Sequence, residues 1–289
     1  MFGLLKRELP KYSISTDYQT KFLEMDQLGA GRFAGVYRVR NHETGEIMSA
    51  KCFAKDPKDF EQLYLHRECI MQEINVMRQA RGFPNLLHLY EVHETKTTVC
   101  FIVELLPGGE LFTCIKEKGS FTFKEAACVM KQCLQGLVEM YKMKVVHRDV
   151  KPENILFRYR DRPIADNEIV ICDFGLACTE NGDGKDLLLK VCGSPGYIAP
   201  EVLIQGDGDK DFALMCSSDM FSMGVIFYTL LSGNCPWNPN SKLSIIEQNK
   251  ECRLDWENRF IRDVDPHAKI LVQRMLMKDP VFRISASDA

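Results

Sequence analysis

The stretch that decides the fold of this chain is His147-Arg148-Asp149-Val150-Lys151-Pro152-Glu153-Asn154, and Asp173-Phe174-Gly175 begins 24 residues after Asp149. The first run can place a carboxylate beside an attacking hydroxyl, a lysine near a phosphate group and an amide on a metal ion. The second run can supply another carboxylate for the metal. Oxygen ligands of this kind suit Mg²⁺, which takes few protein ligands and keeps several waters. The two runs therefore indicate chemistry on a metal-bound phosphate group.

The composition is that of an ordinary globular protein. The chain has 289 residues, 45% apolar and 27% charged, which is enough for one large domain or for two lobes that share a cleft. The net charge of −3 gives no electrostatic reason to expect nucleic acid or an anionic membrane as a partner. The twelve cysteines are scattered and include no C-x-x-C pair, so we expect neither a zinc site nor a disulfide scaffold.

No targeting signal stands out in the sequence. The N-terminus lacks a long apolar core followed by a small-residue cleavage site, which argues against secretion. Phe2 occupies the position where N-myristoylation needs a glycine. The longest strongly apolar run, Met223 to Leu231, is too short to span a bilayer. We therefore expect a cytoplasmic or nuclear protein with reduced thiols and no membrane insertion.

The pattern of apolar residues changes character once along the chain. Residues 1–21 have no clear period and are interpreted as a short leader, whereas residues 22–103 are rich in strand patterns. A hinge is expected over 104–110, followed by a mainly helical region over 111–289. The predicted strands are 28–40, 47–53, 86–92 and 99–103, and the predicted helices are 60–80, 122–143 and 219–232.

A glycine-rich run lies on the first predicted strand. It reads Leu28-Gly29-Ala30-Gly31-Arg32-Phe33-Ala34-Gly35-Val36, and its glycines would let backbone amides approach an anion without a Cβ in the way. Taken alone, the run is better explained as a flexible hairpin. Its place on a first strand, well upstream of a strand that carries a lysine, favours a phosphate-covering loop instead.

The lysine of the next strand is Lys51, within Met48-Ser49-Ala50-Lys51. Side chains alternate along a strand, so Lys51 and Ser49 should share one face and Ala50 should lie on the other. The simpler interpretation of Lys51 is a solvated strand lysine, which is what most lysines are.

Together these runs resemble the catalytic domain of serine/threonine protein kinases over about residues 22–289. Three further runs make the calcium/calmodulin-dependent and calcium-dependent kinase group the most similar: Lys151-Pro152-Glu153-Asn154, Cys192-Gly193-Ser194-Pro195-Gly196-Tyr197 and Leu231-Ser232-Gly233. The resemblance implies a two-lobed α+β fold, with a small antiparallel β-sheet lobe carrying one key helix and a large, mainly helical lobe. It also implies Mg²⁺-ATP-dependent phosphorylation of serine and threonine in protein substrates.

The resemblance assigns roles to the residues of the opening motifs. Asp149 would be the base or orienting group for the substrate hydroxyl, and Lys151 would neutralise the γ-phosphate. Asn154 and Asp173 would bind two Mg²⁺ ions. A lysine two residues after the aspartate is what serine/threonine kinases carry, whereas tyrosine kinases have a different loop sequence there.

The resemblance also implies a nucleotide site. Lys51 would contact the α- and β-phosphates and pair with Glu73, for which Glu68 is a competitor on the same helix. Ala34 stands where the family expects a third glycine, which could alter loop flexibility without abolishing nucleotide binding. The implied nucleotide-binding residues are Leu28, Gly29, Ala30, Gly31, Arg32, Phe33, Ala34, Gly35, Val36, Ser49, Lys51, Glu73, Val103, Glu104, Leu106, Glu110, Leu156 and Asp173.

Other family positions are expected to support the site. Glu201, in Ala199-Pro200-Glu201, would end the activation segment and pair with a buried Arg283. Ser194 stands where the family usually has threonine and keeps the hydroxyl that contacts Asp149 and Lys151. Asp219 would fix the backbone of the catalytic loop.

Substrate preference and regulation are predicted from a few side chains. Glu110 and Glu153 together suggest a negative recess for an arginine upstream of the acceptor, although they could also be two solvated glutamates, and Glu110 could instead reach the ribose. Thr179 is the only hydroxyl residue between Asp173 and Cys192, so activity without loop phosphorylation is expected.

The last residues, 283–289, look like the start of a helix that the family completes in its large lobe, so we expect a fragment or a natural truncation. A regulatory segment or a calcium-sensor protein outside the chain would then supply control. The alternative from a different class is a catalytically silent kinase fold that acts as a scaffold or as a nucleotide-binding module.

Overall fold

The chain folds as two compact units. The computed structural model describes residues 14–30, 34–55, 60–180, 193–205, 211–254, 256–257 and 259–289. The first unit runs to Gly82 and also contains Leu87–Leu105, and the second contains Phe83–Leu86 and Leu106–Ala289. The predicted α+β class is confirmed, since the first unit is a mainly antiparallel sheet with one long helix and the second is mainly helical.

The first unit is built on a six-stranded sheet. Its elements are β1 (Ile14–Ser15), α1 (Tyr18–Lys21), β2 (Phe22–Ala30), β3 (Ala34–Asn41), β4 (Ile47–Ala54), α2 (Phe60–Gln79), β5 (Leu89–Glu94) and β6 (Thr98–Val103). The strand order is β1-β5-β6-β4-β3-β2. The short strand β1 is parallel to β5, and the other neighbouring strands are antiparallel.

One face of this sheet carries an apolar cluster, which comprises Tyr18, Phe22, Val39, Met48, Ala50, Cys100 and Ile102. Ala50 is fully buried there. Because side chains alternate along β4, burying Ala50 in this cluster directs Lys51 to the opposite face of the sheet.

Residues 14–21, which lie within the predicted leader, form regular structure. Ile14 and Ser15 pair with Val92 and His93 of β5, and Tyr18 is buried in the apolar cluster. A two-residue strand and a one-turn helix are too short to produce a period in the sequence, which is why this segment escaped prediction.

The expectation of reduced thiols is wrong at one place. Cys52 of β4 and Cys100 of β6 lie directly opposite each other and form a disulfide, with 4.1 Å between their Cα atoms. The two residues are 48 positions apart, so only the strand pairing brings them together.

The second unit consists mainly of helices with short strand pairs. Its elements are α3 (Leu111–Lys118), α4 (Phe123–Lys142), β7 (Val145–Val146), β8 (Ile155–Phe157), β9 (Ile169–Ile171), β10 (Cys178–Thr179), α5 (Pro200–Gln205), α6 (Phe212–Ser232), α7 (Ile245–Glu251) and α8 (Pro266–Met275). Strand β8 pairs with β9, and β7 pairs with β10. Near the chain end the Ala289 N–H donates to the Ser285 carbonyl, which closes a single turn.

Two long helices form the centre of the second unit. Helix α4 begins after Thr122, which forms a reciprocal capping box with Glu125. Helix α6 begins at Phe212 rather than at the predicted Asp219 and ends at Gly233, which is left-handed with φ 71°. Among the residues described, α6 alone is long and apolar enough to cross a bilayer, but 72% of its apolar window is buried, as in a core helix.

Candidate active site

The backbone of the loop after β7 is held by a buried carboxylate. Asp219 of α6 accepts the His147 N–H at 2.8 Å on Oδ2 and the Arg148 N–H at 2.9 Å on Oδ1. Burial raises the pKa of Asp219 above its ordinary value, and these two hydrogen bonds oppose that rise. Arg148 has φ 67°, a left-handed conformation that is rare outside glycine and that the two bonds help to maintain.

The side chain of Asp149 lies at the centre of a hydrogen-bonded group. Its Oδ2 is 2.7 Å from Nζ of Lys151, and its Oδ1 accepts a 2.9 Å hydrogen bond from the Ser194 hydroxyl. Nζ of Lys151 also donates to Oγ of Ser194 at 3.0 Å. Asn154 donates through Nδ2 to the Asp149 carbonyl at 2.9 Å. A carboxylate, an ammonium group and a hydroxyl therefore meet at one point.

The loop that carries Asp173 is hydrogen-bonded to the loop that carries Asp149 and Asn154. The Cys172 N–H donates to the Asn154 carbonyl at 2.9 Å, which brings Asp173 close to Asn154 along the backbone. Nε2 of His147 lies 3.0 Å from the Cys172 carbonyl, and the His147 ring packs against Phe174 at 5.5 Å between centroids. Asp173 itself has φ 64°, a second left-handed residue in this region.

The donor chemistry of this region fits Mg²⁺. Within the part of the chain that the structure describes, no three His, Cys, Asp or Glu side chains converge to hold a metal. A closed cage is not what Mg²⁺ needs, because it is usually bound by one or two protein oxygens together with phosphates and waters. Asn154 uses Nδ2 within the loop, so its Oδ1 and the Asp173 carboxylate are the atoms that could ligate the ion.

The first unit contains an ion pair between strand and helix. Nζ of Lys51 on β4 lies 2.6 Å from Oε1 of Glu73 on α2. Glu73 is 2% exposed, so its charge is buried beside the lysine. The competitor Glu68 instead contacts Arg67, at 3.2 Å.

The glycine-rich run is described only at its two ends. Gly29 pairs with Val36 and Ala30 with Gly35 across the β2–β3 hairpin, while Leu28 is exposed. A Cβ on Gly35 would overlap the ring of Tyr37, so a glycine is required beside that ring. The remaining predicted positions of the run, Gly31, Arg32 and Phe33, lie outside the described residues.

The other predicted nucleotide-binding residues are distributed over both units. In the first, Ser49 of β4 and Val103 of β6 are buried and paired in register. Glu104 is 9% exposed; its N–H donates to the His88 carbonyl, and its carboxylate accepts the His88 N–H. The carboxylate is therefore used in a hydrogen bond within the first unit. In the second, Glu110 and Leu156 form an isolated bridge. Leu106 is half-buried at the start of the second unit.

Two glutamates of the second unit, Glu110 and Glu153, interact electrostatically where the sequence predicted an acidic recess. Desolvation by the neighbouring protein raises the pKa of Glu110, and the charge of Glu153 raises it further, although much of the Glu110 side chain is exposed. Burial and the same Glu153 charge raise the pKa of Tyr197. Oε2 of Glu153 is buried and lacks a hydrogen-bond partner among the described residues. Negative charge is therefore gathered here without a neutralising cation in the described part of the unit.

The end of the predicted activation segment is anchored by a buried ion pair. Arg283 donates to both carboxylate oxygens of Glu201, at 2.6 and 2.9 Å. The same guanidinium also donates to the carbonyls of Ser217 and Met277. This bidentate geometry gives strong and directional hydrogen bonds.

Three residues that the sequence analysis missed hold the neighbouring segment 196–198. The Trp237 indole donates to the Gly196 carbonyl at 2.7 Å, the Ser222 hydroxyl to the Tyr197 carbonyl at 2.7 Å, and the Asn249 amide to the Ile198 carbonyl at 2.8 Å. Side-chain bonds to distant backbone carbonyls have no local signature. A tryptophan, whose N–H needs an acceptor when buried, was the one available signal.

Comparison with known proteins places the whole arrangement in one family. A model of the protein kinase domain matches residues 22–289. Serine/threonine-protein kinase H1 of Homo sapiens is 35% identical over 277 residues, covering 96% of this chain and 60% of its own length. The H1 homologues of Danio rerio and Pinctada fucata are 34% and 33% identical over 276 residues, covering 96% of this chain. The chain spans 61% of the length of these two relatives. It belongs to the protein kinase domain family and is homologous to serine/threonine kinases.

Proposed function

We propose that this chain transfers the γ-phosphate of ATP, in the presence of Mg²⁺, to serine and threonine hydroxyls of proteins. The observation that carries the proposal is the hydrogen bond from the Ser194 hydroxyl to Oδ1 of Asp149, at 2.9 Å. A serine hydroxyl already contacts the proposed base at the distance that proton transfer requires. The ammonium group of Lys151 lies 3.0 Å from the same hydroxyl oxygen.

Each residue of the loop then has a defined task. When bound, Mg²⁺-ATP would supply the phosphoryl group and the positive charge that balances its oxygens. Asp149 would orient the substrate hydroxyl and accept its proton, while Lys151 would offset negative charge beside it. Asn154 and Asp173 would hold the metal through their oxygens.

In the first unit, Lys51 would bind phosphate oxygens as a point charge. Glu73 would hold the ammonium group in place, since the two atoms lie 2.6 Å apart and the glutamate is buried. The hairpin that contains Leu28 and Val36 would cover the phosphates with its backbone amides.

The substrate class follows from the acidic recess. Desolvation and then the charge of Glu153 raise the pKa of Glu110, and an arginine upstream of the acceptor would pair with both glutamates and offset their charge. The proposed preference is therefore Arg-x-x-Ser/Thr, as in the calcium/calmodulin-dependent group that the sequence resembles. Replacing that arginine by alanine in a peptide should lower kcat/KM by about tenfold, by analogy with a charge-assisted hydrogen bond.

Control is proposed to come from outside the activation segment. Thr179 lies on β10 opposite Val145, and its hydroxyl oxygen is buried, which disfavours it as a phosphorylation site. We propose a cytoplasmic or nuclear enzyme whose activity is set by a regulatory segment or a calcium-sensor protein. A phosphate on Thr179 that raises activity severalfold would count against this.

The test is a phosphotransfer assay with labelled γ-phosphate on peptides that vary serine, threonine and tyrosine as acceptor. Transfer to serine or threonine should require Mg²⁺ and should fall by about 10³-fold in Asp149→Asn, within the range for loss of a general base. Glu117→Gln on α3 serves as the control, because it removes a carboxylate on an exposed helix position. ATP binding without transfer in the parent would instead support a scaffold or nucleotide-binding module.

A further inference from the structure

The Cys52–Cys100 disulfide lies on the face of the sheet opposite Lys51. Cys52 follows Lys51 in β4, and Cys100 precedes Phe101 in β6, so strand alternation sends the sulfurs to the side away from the Lys51–Glu73 pair. The structure shows no second disulfide among the residues that it describes. One covalent bond therefore joins the strand that carries the proposed phosphate-binding lysine to its neighbour.

One sulfur of this disulfide can be reached from solvent. A cleft of about 680 Å³ opens on this face, lined by residues that include Tyr18, Phe22, Tyr37, Cys52, Thr98 and Cys100. Cys52 is half-buried, whereas Cys100 is 1% exposed. The Tyr18 hydroxyl lies 3.7 Å from Sγ of Cys52 and donates to Glu24 on the wall of the cleft. A thiol that enters the cleft therefore meets the sulfur of Cys52 first.

The two strands do not depend on the disulfide for their pairing. The antiparallel register of β4 with β6 runs over six residue pairs, from Ser49–Val103 to Ala54–Thr98. The strand pairing persists when the sulfurs separate, since backbone hydrogen bonds hold both sides of the cysteine pair. Opening the bond removes a constraint from β4 while leaving the fold in place.

We propose that Cys52 and Cys100 form a reversible thiol–disulfide site, which external thiols reach through this cleft. The oxidation state of the two cysteines determines how strongly β4 is constrained near Lys51. A thiolate of a small or protein thiol attacks Sγ of Cys52, and the S–S bond breaks with its electron pair on Sγ of Cys100, which takes up a proton. A second thiolate displaces Cys52 from the mixed disulfide. One protein disulfide and two thiols become two protein thiols and one external disulfide, and an external disulfide reverses the exchange.

The exchange is tested on the intact chain in glutathione buffers of varied ratio. The samples are quenched with acid, alkylated, digested and analysed by mass spectrometry. As the ratio of reduced to oxidised glutathione rises, the Cys52–Cys100 cross-linked peptide should be replaced by two alkylated peptides. The midpoint ratio should be the same whether the protein starts oxidised or reduced. Cys235→Ser should leave this transition unchanged because Cys235 is an exposed free thiol. Absence of the cross-linked peptide at every ratio, or different end points from the two directions, would overturn the proposal.

The effect on β4 is tested by hydrogen exchange of the peptide that contains residues 47–54. Reduction should increase its exchange rate by about fivefold, since local opening free energies respond to the loss of a nearby constraint, and should lower the unfolding midpoint by about 5–10 °C. Cys52→Ser and Cys100→Ala should exchange at the reduced rate in both buffers. Equal exchange of the oxidised and reduced parent would show that the site does not constrain β4.

The significance for Lys51 rests on the proposed function, but both measurements are independent of it. A chain that binds no ATP could still show the exchange and the change at β4. In that case the proposed function would fail while the thiol–disulfide site stands.

Discussion

Two ion pairs, one in each unit, differ in burial, in the number of contacts and in the chemistry of the cation. In the second unit, Arg283 has no exposed side-chain surface and contacts both oxygens of Glu201, as well as backbone carbonyls. In the first unit, Lys51 keeps 20% of its side chain exposed and contacts one oxygen of Glu73 at 2.6 Å. Both pairs join residues that are distant in sequence.

This difference separates a closed structural pair from one whose cation can take a second partner. The planar guanidinium matches a carboxylate in two parallel hydrogen bonds, and full burial leaves no room for a competing anion. An ammonium group is a compact charge with three donors on a flexible stem, so Lys51 can keep its contact with Glu73 and still donate to a second anion. Loss of the first pair should therefore damage stability, and alteration of the second should damage activity.

The largest expected effect is on stability, from Arg283→Met. The substitution leaves the buried Glu201 carboxylate without its cation, which should lower the free energy of unfolding by about 3–5 kcal/mol. Both tryptophans of the chain, Trp237 and Trp256, belong to the second unit, so intrinsic fluorescence in a denaturant titration reports on that unit.

Arg253→Met is the matched control for this prediction. The Arg253 side chain is 87% exposed, and its Nε is as far as 4.0 Å from Oε2 of Glu251. Its loss should therefore change the free energy of unfolding by less than about 0.5 kcal/mol. Equal free energies of unfolding in the two variants would contradict the structural role assigned to the Arg283–Glu201 pair.

The next effect is on activity, from Lys51→Arg. The variant keeps a positive charge beside the buried Glu73, so the first unit should remain folded. The larger and planar head group cannot place its charge where the ammonium lies, and kcat/KM for ATP should fall by about 100-fold, as for other groups that stabilise charge in the transition state.

Lys55→Arg provides the control for Lys51→Arg within the same unit. Lys55 pairs with Glu94 at 2.7 Å and is itself only 10% exposed, so the two lysines share their charge, their burial and the chemistry of their partner. Activity should change by less than about twofold, because a conservative change away from the site acts through stability alone. Similar losses of kcat/KM in both variants would mean that Lys51→Arg acts by disturbing the fold of the first unit.

The sequence predicted that Asp149 and Lys151 lie together, because the motif fixes their spacing, and the structure places Oδ2 of Asp149 2.7 Å from Nζ of Lys151. The resemblance to the kinase family favoured Glu73 over Glu68, and the structure pairs Glu73 with Lys51. The contacts that hold these residues in place were largely invisible. The Trp237 bond to Gly196 joins residues 41 positions apart and depends on tertiary packing, which no local pattern encodes.

Glu110 and Glu153 form a third kind of charge pair, for which the substrate would supply the cation. The pKa of Glu110 is raised, chiefly by desolvation and then by the charge of Glu153. A carboxyl with a raised pKa takes up its proton at a higher pH than an ordinary glutamate does. As the pH falls, Glu110 therefore loses its negative charge at a higher pH than an ordinary glutamate would. The attraction between the recess and an upstream arginine weakens over the same pH range.

The smallest predicted effect is thus a pH-dependent preference for arginine. The ratio of kcat/KM for an arginine peptide to that for its alanine counterpart should fall by at most about fivefold from about pH 8 to about pH 5.5, since a solvent-exposed ion pair contributes up to about 1 kcal/mol. In Glu110→Gln the ratio should start lower and change less with pH, because the group that titrates is gone. Glu117→Gln, on the α3 helix that Glu110 precedes, should retain the parent profile. A ratio that stays constant with pH in the parent would mean that Glu110 does not face the substrate's arginine, and the recess would then be two solvated glutamates.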